Sequence, residues 1–217
     1  MGFASGIIHV FTGPDHLAAI APISLKSKKE NWLIGFKWGL GHTGGVIIAA
    51  LFVFLFKELI PINLFSSYSD RLVGLILIAI GLLCLKKVFS KNIHTHEHNH
   101  DVVTHNHIHV HRLLEKYDRF KGHNHSHAAL GVGIIHGFAG SSHLLGILPA
   151  LALLTRLESA TYLGAFGLGT IIAMIIFSTV IGMLSVKFSS IGMYAYKRLY
   201  TVFGMAAIVI GVFWLFI

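Results

Sequence analysis

The sequence predicts an all-α integral membrane protein, with six transmembrane helices forming two inverted three-helix repeats and the first helix of each repeat broken or kinked. Three observations carry that expectation. The chain is 54% hydrophobic and only 12% charged, with a mean hydropathy of +0.73, and its apolar residues fall in long runs. Such runs suit a bilayer, whose hydrocarbon core takes about 20 residues of helix to cross. A stretch bearing histidines, GIIHVFTGPDHLAAIAP from Gly6 to Pro22, recurs as GIIHGFAGSSHLLGILPA from Gly133 at an offset of 127 residues. Lysines and arginines, finally, collect in alternate connections between the runs.

The spans read as roughly 3–24, 32–57, 71–89, 128–154, 160–186 and 197–217. They divide the chain into a first repeat over 1–89, a histidine-rich loop over 90–127 and a second repeat over 128–217. In the register of the duplication His9 falls on His136, Gly13 on Gly140, His16 on His143 and Pro22 on Pro149. WGLGHTGG in span two aligns with FGLGTIIA in span five, and Arg71-Leu72 with Arg198-Leu199 at the starts of spans three and six. Three spans per repeat is an odd number, so the second repeat enters the membrane with the opposite orientation, as in many secondary transporters.

Topology follows from charge. Lys26, Lys28, Lys29, Lys86, Lys87, Lys91, Arg112, Lys116, Arg119, Lys121, Lys187, Lys197 and Arg198 lie on one side, against Lys57, Arg71 and Arg156 on the other. The positive-inside rule makes the first side cytoplasmic and puts both termini outside. The net charge of +8 is thereby spent on topology, and no nucleic-acid partner is expected. The N-terminus has no basic segment before its apolar run and reads as a retained first helix.

The first span carries the chemistry. Pro14 lacks an N–H and Gly13 before it is pushed out of helical geometry, so the helix should break near Thr12–Gly13, with Thr12 or Gly13 capping a second half-helix that begins at Pro14. In an unbroken helix His9 and His16 would lie about 10 Å apart along the axis, too far for one ion; a break removes that obstacle. Asp15 is the acidic residue expected well inside a span, and a carboxylate there needs a compensating partner. Neutral imidazoles with one carboxylate suit borderline divalent ions such as nickel, cobalt and zinc. The candidate ligands are His9, Asp15, His16, His42, His136 and His143. His42 alone could equally be a histidine bonded to a neighbouring helix, and Ser141 and Ser142, which replace Pro14 and Asp15 in the second copy, could equally be helix caps.

The central loop holds His94, His96, His98, His100, His105, His107, His109, His111, His123, His125 and His127. Its polar composition cannot build a core, so it is expected to be mobile without a ligand, apart from a short helix near Arg112 to Phe120. Alternating histidines in an extended chain share one side and offer adaptable metal sites; a pH-responsive polar linker is the alternative.

HVFTGPDHLAAIAP, GLGHTGG and IIHGFAGSSHLLGILPAL together resemble the nickel/cobalt transporter superfamily, in particular its urease-accessory branch of membrane proteins with a short six-span core. That resemblance covers essentially all the spans. It implies transport of Ni2+ or Co2+, with Zn2+ a further candidate, through a prokaryotic plasma membrane, and selectivity set by His9, Asp15 and His16. No tightly bound cofactor is expected. The partners it implies are the ion, the bilayer, and cytoplasmic metallochaperones or urease and hydrogenase maturation proteins. The nickel permeases have one residue fewer between the first histidine and the Asp-His pair, and a further acid there; Val10 to Pro14 contains none, which places this chain outside that branch.

Three other readings compete. An intramembrane metalloenzyme would use the same histidines, but HExxH is absent and Asp15 is the only internal base. A thiol electron carrier of related fold needs two intramembrane cysteines, and Cys84 is the only cysteine in the chain. A metal sensor or chaperone would act through the loop. No GxxxxGK[ST] motif is present, so the chain is not expected to be driven by its own ATP hydrolysis.

Overall fold

A computed structural model describes residues 1–25, 31–56, 62–89, 93–100, 103–110, 124–139 and 155–217. Among these, seven helices and one hairpin follow in order: α1 (Gly2–Thr12), α2 (Pro14–Ser24), α3 (Asn31–Phe56), α4 (Ile62–Phe89), β1 (Ile93–His100), β2 (Val103–Val110), α5 (Asn124–Ala139), α6 (Arg156–Ile191) and α7 (Met193–Phe216). Three stretches, Tyr68–Phe89, Arg156–Ile191 and Met193–Phe216, are long and apolar enough to cross a membrane; Gly2–Thr12 and His127–Ala139 are apolar but shorter. Large apolar side chains such as Leu75, Leu83, Val209 and Phe213 point outward, while Asp15, His16, His42 and His136 are buried. Polar groups inside and hydrocarbon outside is the arrangement of a membrane protein.

The first span breaks where expected. Gly13 is extended (φ −88°, ψ 97°), its N–H closes α1 on the His9 carbonyl, and Pro14 opens α2 at a position where a missing N–H costs nothing. Gly13 is the capping residue. Thr12 is not, because its hydroxyl donates back to the Ile8 carbonyl at 2.8 Å.

Elsewhere the boundaries differ from expectation. α4 begins at Ile62 rather than 71, so a second acid, Asp70, lies in the helix and is buried. α6 runs for 36 residues, about 54 Å at 1.5 Å per residue, well beyond the hydrocarbon thickness. At its start Thr155 and Glu158 form a reciprocal capping box. At its end Gly192 alone joins it to α7, at φ 141°, a conformation that suits glycine. The expected connection between spans five and six is thus almost wholly helical.

Helices meet where glycine removes the side chain. A Cβ on Gly41 or Gly45 of α3 would strike the carbonyls of Leu130 or Ile134, and one on Gly133 or Gly137 of α5 those of Trp38 or His42. α3 and α5 therefore run parallel with backbones in contact. α1 lies on α6 in the same way, Gly2 at the Tyr162 carbonyl and Gly6 at that of Phe166, while Gly169 of α6 meets the Phe3 carbonyl. α4 and α7 pack antiparallel through Gly74 against Gly211 and Gly81 against Gly204.

At the far end of α2 a polar seam ties four helices. The Leu25 carbonyl accepts from Ser185 Oγ (3.0 Å) and from the Tyr196 hydroxyl (3.3 Å). Ser24 Oγ lies 2.9 Å from Ser178 Oγ, which donates to the Asn31 carbonyl at 2.6 Å.

The histidine-rich segment departs from an all-α fold. Residues 93–100 and 103–110 form an antiparallel hairpin that pairs His94 with His109, His96 with His107 and His98 with His105. Ile93, Thr95, Val103, Thr104, Ile108 and Val110 supply the β-branched residues that let an alternating polar sequence pair as strands. The expected helix near 112–120 lies outside the described residues.

Candidate metal centre

Four helices bring five of the six expected intramembrane ligands together: His9 from the last turn of α1, Asp15 and His16 from the first turn of α2, His42 from α3 and His136 from α5. The break at Gly13 does what the spacing requires, since the His9 and His16 ring centroids are 4.6 Å apart. The parallel contact of α3 with α5 sets His42 and His136 against the same pair, with His16 4.9 Å from His136 and 5.0 Å from His42 between centroids.

Asp15 is the hub on one side. Its Oδ1 lies 3.0 Å from His16 Nδ1 and its Oδ2 3.1 Å from His136 Nε2, all within the protein interior. Its place on the first turn of α2 sets the carboxylate at the positive end of a helix, which favours negative charge. On the other side His16 Nε2 lies 3.1 Å from His42 Nε2. Two groups of donors result, His9 with His16 and His42, and Asp15 with His16 and His136, each with all donor atoms within 4.8 Å of one another. Nitrogen and oxygen donors about 2.0–2.1 Å from a tetrahedral ion are about 3.3 Å apart, so the pairs at 3.0 and 3.1 Å are already at that spacing, and the other pairs, within 4.8 Å, would close by at most about 1.5 Å around a borderline divalent cation.

Aromatic walls frame the donors. The Trp38 indole stacks on His42 (5.0 Å, 17°) and also lies 5.7 Å from His16 and 5.4 Å from His136. Phe166 of α6 lies 5.4 Å from His9. Neither aromatic stood out in the sequence as part of a site. The available signal was that both occupy one position of the duplicated GLG motif and that Trp38 precedes His42 by one helical turn. Gly13 is a further member, because a Cβ there would run into the His16 ring and the Asp15 carboxylate.

His143, with Ser141 and Ser142, lies outside the described residues, as do His111 and His123. His94, His96, His98, His100, His105, His107 and His109 stand on the two strands, His125 is in the first turn of α5, and His127 is exposed.

The family model for the cytochrome c biogenesis protein transmembrane region matches residues 13–213. The chain belongs to that family. It is similar to the urease accessory protein UreH of Bacillus sp. (strain TB-90), 32% identical over 84% of this chain and 75% of the relative. It is also similar to two chloroplast proteins of Arabidopsis thaliana, FOR GROWTH AND FERTILITY 1 and 2, each 33% identical over 83% of this chain. The chain spans 48% and 46% of those two relatives' own lengths. No solved structure matches it. Thiol exchange within one chain takes two cysteines, whereas this member of the cytochrome c biogenesis transmembrane family has Cys84 alone, buried, with Sγ 3.4 Å from the Tyr200 carbonyl oxygen.

Proposed function

We propose that this protein carries a divalent transition-metal ion, Ni2+ or Co2+, across the plasma membrane through the histidine–aspartate cluster, with the histidine-rich hairpin on the cytoplasmic side. The observation that carries the reading is the meeting of Asp15, His16, His42 and His136, all buried, with His9 beside them. Burying a carboxylate among imidazoles is costly in hydrocarbon and repays itself when a cation passes. The similarity to a urease accessory protein supports nickel as the cargo. Asp15 is engaged by two histidines, which suits a ligand better than a general base and favours a carrier over an enzyme.

The carrier is built as two inverted three-helix repeats. Its support is a correspondence between contacts under the offset of the duplication. Gly6 meets the Phe166 carbonyl and the Thr170 N–H; Gly133, its counterpart, meets the Trp38 carbonyl and the His42 N–H, themselves the counterparts of Phe166 and Thr170. Gly41 against Leu130 and Ile134 likewise answers to Gly169 against Phe3 and Ile7. The ion sits where the halves meet, and movement of one half against the other exposes it to each side in turn. The loop receives or supplies the ion, and metallochaperones or urease maturation proteins are its partners.

Accumulation of Ni2+, Co2+ and Zn2+ in cells expressing the wild type or His16→Ala tests the reading. Expression of the wild type should change accumulation of at least one of these ions, and His16→Ala should abolish the change. Equal accumulation in wild-type, mutant and empty cells for all three overturns it.

A further inference from the structure

The two donor groups share one residue and approach it from opposite sides. His16 Nδ1 is 3.0 Å from Asp15 Oδ1, and Asp15 Oδ2 is 3.1 Å from His136 Nε2. His16 Nε2 is 3.1 Å from His42 Nε2, and His9 lies against the same ring, edge to face. Asp15 of one triad and His42 of the other therefore meet different nitrogens of the same imidazole.

We propose that the cluster is two overlapping sites and that the ion is handed across the His16 ring, from an all-nitrogen triad (His9, His42 and His16 Nε2) to a mixed triad (Asp15, His136 and His16 Nδ1), or the reverse. The inference rests on the transport reading. A neutral imidazole binds an ion through the nitrogen that carries no hydrogen and donates through the other. With the ion on Nε2, the Nδ1–H of His16 donates to Asp15 Oδ1. With the ion on Nδ1, the hydrogen is on Nε2 and donates to His42 Nε2. Each position thus leaves the other nitrogen of His16 with an acceptor already in place. The transfer breaks the bonds to His9, His42 and Nε2 and makes those to Asp15, His136 and Nδ1; water takes the hydrogen from Nδ1 and supplies one to Nε2, so no net proton is gained or lost.

Two properties follow. The sites exclude each other, because a neutral imidazole has one free lone pair. They also differ in strength: three imidazoles leave the full charge of a divalent ion uncompensated, whereas Asp15 neutralises half of it, and in a medium of low dielectric constant that difference is large. The mixed triad is the resting site and the all-nitrogen triad the transit site.

The test uses the full-length protein, purified in detergent and reconstituted in liposomes, with Ni2+ as the probe. Equilibrium dialysis counts bound ions and liposome uptake measures flux. His16→Ala sets the background, which includes ions held by the histidine-rich segment. Wild type should bind one ion more than His16→Ala. His9→Ala and His136→Ala, each damaging one triad, should both keep that extra ion while flux falls by roughly tenfold or more. The double variant His9→Ala/His136→Ala, which leaves His16 in place, should lose the ion, so the argument does not depend on His16→Ala folding well. With Co2+ in place of Ni2+, the visible absorption of His9→Ala should match that of the wild type, and that of His136→Ala should be shifted.

Two extra ions in the wild type, loss of the ion in both single variants, or unchanged flux in either one overturns the relay. If the wild type transports Ni2+ while both single variants lose the ion, the transport reading stands and only the relay falls. If the wild type neither binds an extra ion nor transports one, both fall.

Discussion

Trp38 lies stacked on His42, one helical turn away on α3, with ring centroids 5.0 Å apart and planes inclined by 17°. The indole supports the imidazole from behind and has no exposure of its own. Its Nε1 has no hydrogen-bond partner among the described residues, so the ring face is what matters. Trp38→Phe should therefore keep most of the flux measured in liposomes. Trp38→Ala opens a cavity, costs about 3–5 kcal/mol of stability by the usual scale for such truncations, and should lower both the melting temperature in detergent and the Ni2+ flux.

Gly13→Ala separates shape from backbone conformation. At φ −88° and ψ 97° an alanine is tolerated, so a change cannot come from backbone strain. Its Cβ would instead press on His16 Nδ1 and Asp15 Oδ1. Flux and Ni2+ affinity should fall by roughly tenfold with the melting temperature little changed. Gly44→Ala, which meets open space, should alter neither.

Gly137→Ala probes the contact of α5 with α3. A methyl there meets the carbonyl of His42 and must push the helices apart, at a cost of about 1–3 kcal/mol. Thermal stability in detergent should drop, and Ni2+ affinity with it, because His136 moves away from Asp15. Gly131→Ala, on the same helix but in open space, should leave stability unchanged or raise it by about 0.5–1 kcal/mol.

The hairpin register makes a statement about pairs. His96 stands opposite His107, whereas His105 stands opposite His98. If metal bridges the strands, the double variant His96→Asn/His107→Asn should cost Zn2+ affinity little more than either single change. The pair His96→Asn/His105→Asn should come closer to additive. Coupling between residues that share a ligand is about 0.5–3 kcal/mol, well within reach of calorimetric titration on the full-length protein.

The break in the first span was legible because proline acts locally: a missing N–H and a ring clash depend on no distant residue, and the bend at Gly13 followed. The convergence of His9, Asp15, His16 and His136 was legible through the duplication and the cost of a buried carboxylate. What the sequence could not disclose depended on partners far along the chain. Trp38 reads as one more apolar residue until α5 and the break bring His136 and His16 beside it. The joint at Gly192 was hidden by Lys187, Lys197 and Arg198, which read as a connection although a helix tolerates them once it leaves the membrane. The hairpin was hidden because its histidines suggest solvation, and only pairing between strands reveals the role of the threonines, valines and isoleucines among them.

The seam at the end of α2 sets a population. Parting α2 from α6 and α7 breaks three bonds at once: Ser24 to Ser178, Ser185 to the Leu25 carbonyl and Tyr196 to the same carbonyl. At about 0.5–1.5 kcal/mol each, a conformer lacking them, and with no compensating contacts, is populated by between about one molecule in ten and about one in two thousand. That is rare enough for the described arrangement to dominate, and common enough for a ligand that prefers the parted form by a few kcal/mol to tip the balance.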